Sequence, residues 1–371
     1  MVDVDVVVAG LGIHGSATVY ELSRQGVDVL GLEQFAEGHT RGSSHGRTRM
    51  IRRAYPNPVW NPLVDRAFEG WARWEAASGT TLVHRTGGLY AFDGATGATS
   101  MQGPDTVVIT EPAEMAARMP GFRAPDGYGA VFDPAAGVLE ASAALGVARD
   151  GAREHGATLS FGESVLAWRQ EGDICVVTTG EREIRCNRLV LTGGSWSGRL
   201  VPELAHLFEV WRIVTVTLAA GQEAGMPPQL GCFSVDRPQG LVFGIPDAAG
   251  NGFKAGIDLG PVWDPDEPTA PASPAEIAEL VGLMTSYVPG IAPEVIEAAS
   301  CLYTMTADKR FVIGALPWAP AVTVAAACSG HGFKFGPAIG AALADLALGR
   351  ARPDLEFIGV QRRLPSSQEL T

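Results

Sequence analysis

The sequence predicts an α/β protein, α+β in its two-domain organisation, with one domain discontinuous. Two observations carry this. The first 33 residues read as strand, glycine turn, helix, strand and acid. The same α/β patterning returns near the C-terminus, with a β-rich block between the two. No internal repeat is present.

Residues 4–8 read as a short buried strand. Gly10, Gly12 and Gly15 follow in GxGxxG spacing, a helical pattern begins, and a second apolar run at 27–32 ends at Glu33. Each glycine has a physical task. One turns the chain, one lets the backbone approach a pyrophosphate, and one lets helix and strand pack closely. Phosphates sit at the helix N-terminus, where N–H groups point outward. Glu33, 18 residues after Gly15, is placed to accept from ribose hydroxyls. The pattern predicts an adenine dinucleotide and does not by itself separate FAD from NAD.

A polar segment, HTRGSSHGRTRMIRRAY, closes this first unit near residue 55. Residues 62–77 are predicted helical, with Leu63, Phe68, Trp71 and Trp74 on one face. Residues 86–92 read as a strand and 93–110 as turn-rich. A helix is expected at 141–155, strands near 164–169 and 173–178, and a short buried strand at 189–191 running into Thr192-Gly193-Gly194. Residues 206–262 read as strands interrupted at Pro227-Pro228, Pro238 and Pro246. The four prolines of 264–274 mark a loop. Helices are expected at 274–287 and 336–349, and the last strand at 322–326. The expected division is a discontinuous Rossmann-like nucleotide domain (1–85, 140–205 and 300–371) and an inserted, mostly antiparallel β-sheet substrate domain (86–139 and 206–299).

The chain has 371 residues, 46% of them hydrophobic and 19% charged, which excludes general disorder and allows a large core. A net charge of −13 argues against nucleic acid and anionic membrane as partners. No apolar run reaches transmembrane length, and the N-terminus enters the first strand without a charged leader. A cytoplasmic protein, monomeric or weakly homo-oligomeric, is expected. The five cysteines are scattered and form no CxxC pair, so neither a disulfide framework nor a zinc site is expected.

FAD is favoured over NAD because the chain leaves Glu33 for a Gly/Ser/Arg segment rather than further βα units. Gly193 and Trp196, in the TGGSW stretch, resemble a second nucleotide-contacting strand end. In Cys328-Ser329-Gly330-His331-Gly332-Phe333-Lys334-Phe335, closely spaced glycines permit backbone approach to a flat ligand. A helix starting near Gly336 would point its positive end there. Lys334, flanked by apolar residues, needs an anionic partner. Arg49, Arg52 and Arg53 lie among apolar residues, where one or two can hold a carboxylate by a bidentate fork; for Arg53 phosphate contact or a surface helix is preferred. Cys301, alone in an apolar strand, reads as a small core residue. Lys254 by spacing alone is an exposed strand lysine.

GLGIHG, GSSHGRTRMIRRAY, CLYTMTADKRFVIG and SGHGFKF, in this order, resemble the monomeric sarcosine oxidase and N-methyltryptophan oxidase family of D-amino-acid oxidase-like flavoproteins. The resemblance runs nearly end to end. It implies FAD bound along Gly10, Gly12, Ile13, His14, Gly15, Glu33, Gln34, Ser43, Ser44, Val165, Gly193, Trp196, Gly330, His331, Gly332 and Phe333. It implies a thioether from Cys301 to the flavin 8α-methyl group. It places Arg49 and His45 close to the flavin ring, Tyr303 in the catalytic pocket, and Arg52 and Lys334 on the substrate carboxylate. Lys254 matches the lysine of the opposite flavin face, where a fixed cation assists reaction with O2.

Some residues depart from the sarcosine oxidase pattern. Asp258 stands in place of a pocket histidine, Phe243 of a tyrosine, Ser234 near a methionine and Asn57 of a glutamate; Trp60 and Trp211 add bulk. Asp258 is a candidate for a substrate amine or polar side chain, or else a solvated turn residue. The implied activity is oxidation of a secondary or cyclic α-amino acid, N-methyl or imino. A hydride equivalent passes to flavin N5, an imine forms, and O2 becomes H2O2. The alternatives are a fructosyl amino acid oxidase and a flavin dehydrogenase serving an electron carrier. From another class come an NAD-dependent reductase and a catalytically idle nucleotide-binding module.

Overall fold

The structure, a computed structural model, describes residues 2–94, 101–219, 230–248, 250, 252–326 and 328–362. The Pro227-Pro228 turn lies outside the described residues, as does part of the turn-rich 93–110 stretch.

Buried valines make the strand Val4–Ala9 the centre of the first sheet. It pairs in parallel with Val29–Glu33 on one side and Glu183–Leu191 on the other. Thr158–Phe161 and Ala319–Ala326 extend it in parallel, and Val165–Glu171, Ile174–Thr179 and Val312–Leu316 complete eight strands. Parallel strands need both faces covered. Here Ile13–Ser23, Ala141–Glu154 and Gly336–Ala347 supply residues to the core against one face. The helices Ile13–Ser23 and Gly336–Ala347 touch closely because Gly340 has no side chain. A Cβ there would stand 2.4 Å from that of Ala17.

The second sheet also has eight strands. Its order is Val295–Met305, Glu209–Leu218, Phe253–Ile257, Val242–Pro246, Cys232–Val235, Gly88–Asp93, Tyr128–Asp133 and Val107–Ile109. All neighbours are antiparallel except Cys232–Val235 with Gly88–Asp93. Its apolar face packs on Pro274–Tyr287, a helix begun by a Ser273/Glu276 capping box. A third sheet joins Thr48–Ile51, Gly137–Glu140 and Val83–Arg85.

Most elements fall where patterning places them. The helix expected at 62–77 spans Asn61–Ser78, with Trp71 and Trp74 fully buried. Several elements differ. Thr48–Ile51 is a strand inside the polar segment, because its four residues pair across to Gly137–Glu140. The strand Val295–Met305 lies wholly in the second sheet, so the boundary expected at 299/300 falls within it. Residues 202–207 form a 3₁₀ turn before the strand Glu209–Leu218 begins. Among the described residues no helix is long and apolar enough to cross a membrane.

Candidate active site

A single continuous cavity of about 1090 Å³ runs between the two large sheets. Every residue that the resemblance assigns to cofactor or substrate lines it, except Gly15. At one end lie Gly10, Gly12, Ile13, His14, Glu33, Gln34, Val165, Gly193 and Trp196; at the other Arg52, Phe243, Lys254, Asp258, Cys301, Tyr303 and Lys334.

The glycine turn works as its spacing implies. Gly10 has φ +96°, and a Cβ there would meet Thr192 O at 2.5 Å. Gly15 is a correction to the contact set: it packs rather than lines, its absent Cβ falling 1.8 Å from Gly10 O. That contact brings the helix onto the strand end. Gly12 caps the helix without a side chain, and Ile13 N–H donates to Ser44 Oγ at 3.1 Å. The Glu33 carboxylate is already engaged, accepting from Leu11 N–H at 2.8 Å and Phe35 N–H at 3.2 Å. It braces the turn as well as facing the cavity. Phe35 meets the Trp196 ring edge-on at 5.3 Å, so this end carries an aromatic wall.

In the middle, Arg49 binds the chain itself. Its guanidinium donates to the carbonyls of Ser43 (2.8 Å), His45 (2.6 Å) and Thr48 (2.7 Å), and lies 5.3 Å from the Phe333 ring centre. Ser43 Oγ donates to Leu302 O, tying this loop beside Cys301. Lys254 Nζ donates to Thr48 O from the facing strand. Burial, then the Arg49 charge, lowers the Lys254 ammonium to about 7. His45 Nδ1 is 2.8 Å from Gly42 O, and burial with Arg49 nearby lowers it to about 4. His14 Nε2 is 3.2 Å from Gly332 O and is likewise lowered to about 4 by burial. Cys301 is partly accessible, and burial raises its thiol. Cys328 also lines the cavity, while Cys175, Cys186 and Cys232 are buried elsewhere.

The far end is cationic. Lys334 is 7% exposed and its Nζ donates to His331 O at 2.8 Å. Asp258 faces both Lys334 and Arg52 without pairing: none of the described ion pairs involves Lys334 or Arg52. The Lys334 ammonium lies 5.7 Å from the Tyr55 ring centre and the Arg52 guanidinium 5.3 Å. Burial, then the Arg52 charge, depresses the Lys334 ammonium well below its ordinary range. His331 Nδ1 is 3.2 Å from Tyr55 OH and its Nε2 3.0 Å from Lys309 O; burial holds it to about 3. Burial raises the Tyr303 phenol well above its usual value.

Of the remaining candidates, Arg53 pairs with Asp65 and stacks on Phe68, a structural role. Trp60, Ser234 and Asn57 line the cavity; Trp211 does not, its indole N–H donating to Glu209. Patterning missed Tyr55, Lys309 and the Tyr90–Asp236 hydrogen bond of 2.8 Å at the cavity edge. Tyr55 and Lys309 sit inside two of the motifs quoted above, which is the signal that points to them.

The donor set fits FAD. A glycine cradle, a helix N-terminus and an acid stand at one end of a cavity long enough to meet Cys301 at the other.

The sequence matches the family DAO, FAD dependent oxidoreductase, over residues 5–346. It is 31% identical to a monomeric sarcosine oxidase of Bacillus sp. (strain B-0618), covering 96% of each chain. It is 29% identical to an N-methyl-L-tryptophan oxidase of Citrobacter koseri, covering 94% of this chain and 95% of that one. The fold superimposes on the open form of NikD, described as an unusual amino acid oxidase, with a TM-score of 0.84 at 23% identity, covering 98% and 99% of the two chains.

Proposed function

The chain belongs to the DAO family of FAD dependent oxidoreductases, and on that premise we propose that it oxidises a secondary or cyclic α-amino acid. The observation that carries this reading is the pair Arg52 and Lys334. Two cations share one end of the cavity with no carboxylate ion pair among the described residues, although an unpaired buried charge is costly. Asp258 faces both without forming an ion pair with either, and a substrate α-carboxylate supplies the paired anion.

FAD, when bound, supplies the two-electron acceptor for the substrate C–H bond. Arg52 and Lys334 fix the carboxylate and so orient that C–H bond, an effect of position rather than of chemistry. Tyr55 and the ring cluster around His331 form an aromatic wall behind this end. Arg49 locks the 43–48 loop by its three carbonyl contacts. That loop in turn holds Lys254 on the wall opposite. There its ammonium stabilises the negative charge that O2 acquires on its way to H2O2. Cys301 is the attachment point for the cofactor; it is accessible from the cavity and Leu302 anchors the strand beside it. The relatives whose names specify N-methyl amino acids support the secondary-amine assignment.

A hydrogen peroxide screen tests this reading. N-methyl, cyclic and glycated amino acids are each compared with their esters and amides. Turnover of free acids in the first two groups, and its loss in the esters, supports the reading. Esters turning over as well as acids refute the carboxylate clamp, and turnover of glycated acids alone moves the substrate to that class.

A further inference from the structure

Asp258 ends the strand Phe253–Ile257, and its backbone N–H is held by Leu241 O at 2.8 Å. Its carboxylate borders the cavity. The face in front of it is kept open by Gly330, which has φ +74°. A Cβ there would stand 2.9 Å from Asp258 Oδ1 and 2.7 Å from the Tyr303 ring. Oδ1 is buried and has no hydrogen-bond partner among the described residues. A carboxylate oxygen buried without a donor is costly unless a ligand brings one.

Asp258 is faced by three cations and by two neutral titratable groups. Lys309 faces it from the turn after Val295–Met305, Arg52 from the end of Thr48–Ile51, and Lys334 from the Phe333–Phe335 turn. Tyr303 and Cys301 face it from the strand Val295–Met305. None of the cations forms an ion pair with it. Arg52 and Lys334, engaged with a substrate carboxylate, also disfavour a protonated amine on the same molecule, whereas oxidation requires the nitrogen lone pair.

Resting on the functional reading above, we propose that Asp258 is the proton acceptor for the substrate ammonium. Oδ1 accepts the N–H hydrogen bond of the bound secondary ammonium and then takes the proton. One N–H bond breaks and one O–H bond forms. An ammonium–carboxylate pair becomes an amine and a carboxylic acid, with no change in oxidation state. Burial supports the same direction, since it raises the carboxyl above its ordinary value despite the three cations.

The test compares Asp258→Asn with the parent, both loaded with flavin, by anaerobic flavin bleaching across pH and by acetate binding. The expected loss in rate at pH 7 is on the order of 100- to 10,000-fold, the range for a removed general base. It should shrink towards parity as pH rises past the substrate's own ammonium pKa, where the amine arrives neutral. Acetate, which has no amine, should bind Asp258→Asn at least as tightly as the parent, since both clamp cations remain and a neighbouring negative charge is removed. Asp258→Glu, which keeps the carboxylate, should retain the parent's pH profile. A loss equal at every pH, an unchanged rate, or loss of acetate binding overturns the assignment. A parent flavin that no secondary α-amino acid bleaches overturns the functional reading itself. Bleaching in the parent with superimposed Asn and parent profiles overturns only the role of Asp258.

Discussion

Lys334→Met separates binding from stability at one residue. The lysine is buried, donates one hydrogen bond to His331 O, and has no ion pair among the described residues. Methionine fills the same stem volume and removes the charge. Losing one charge-assisted partner of a desolvated anion costs about 2–5 kcal/mol, or roughly 30- to 4,000-fold in affinity. The fold loses the bond to His331 O, about 1–3 kcal/mol for an unpaired acceptor, and the ammonium contacts with the Tyr55 and Phe335 rings. Against this stands relief from burying a cation beside Arg52, worth several kcal/mol where the charge is retained (on the order of the loss or more). The variant should therefore bind carboxylate inhibitors far more weakly while its urea midpoint stays near or above the parent's. Titration of a simple carboxylate against the flavin absorbance measures the first, and equilibrium unfolding the second. Unchanged affinity with a large fall in stability would make Lys334 a structural residue and refute the clamp.

Cys301→Ala should release flavin that acid precipitation otherwise leaves in the protein pellet, while Ser at Cys175, Cys186, Cys232 or Cys328 should not. Yellow colour moving wholly to the supernatant in the parent protein contradicts the attachment. Lys254→Met should leave anaerobic bleaching within about tenfold of the parent and slow reoxidation by O2 on the order of 100-fold. Stopped-flow mixing with O2 checks this, and equal slowing of both half-reactions would mean general damage to the site. Burial holds His14 and His45 to about 4 and His331 to about 3, below the ordinary 6.5. Unfolding of the cofactor-free protein therefore takes up protons below pH 6.5. Stability present above that pH is lost as pH falls, by up to about 1.4 kcal/mol per pH unit per histidine. A urea midpoint independent of pH between 7 and 5 would contradict this.

The nucleotide end of the cavity was legible because its causes are local. Gly10 needs a positive φ, Gly15 must let a helix touch a strand, and both demands fall within a few residues of the strand they serve. The long amphipathic helices were legible for the same reason. The strand Thr48–Ile51 was not, since four residues within a polar segment take strand form from pairing with Gly137–Glu140. The partners of Arg49 were also hidden. Nothing in its spacing says that three carbonyls converge on the guanidinium, and this makes it a brace for the loop rather than a free cation. Lys254 and Asp258 acquire meaning only when strands about 200 residues apart from the 43–52 segment close the cavity around them.

Anaerobic mixing of the flavin-loaded protein with a secondary α-amino acid tests the central claim most directly. The flavin absorbance should bleach fully, with one imine formed per flavin, and the methyl ester of the same amino acid should leave the protein yellow. Bleaching by a reduced nicotinamide, with no response to any α-amino acid, would contradict the account.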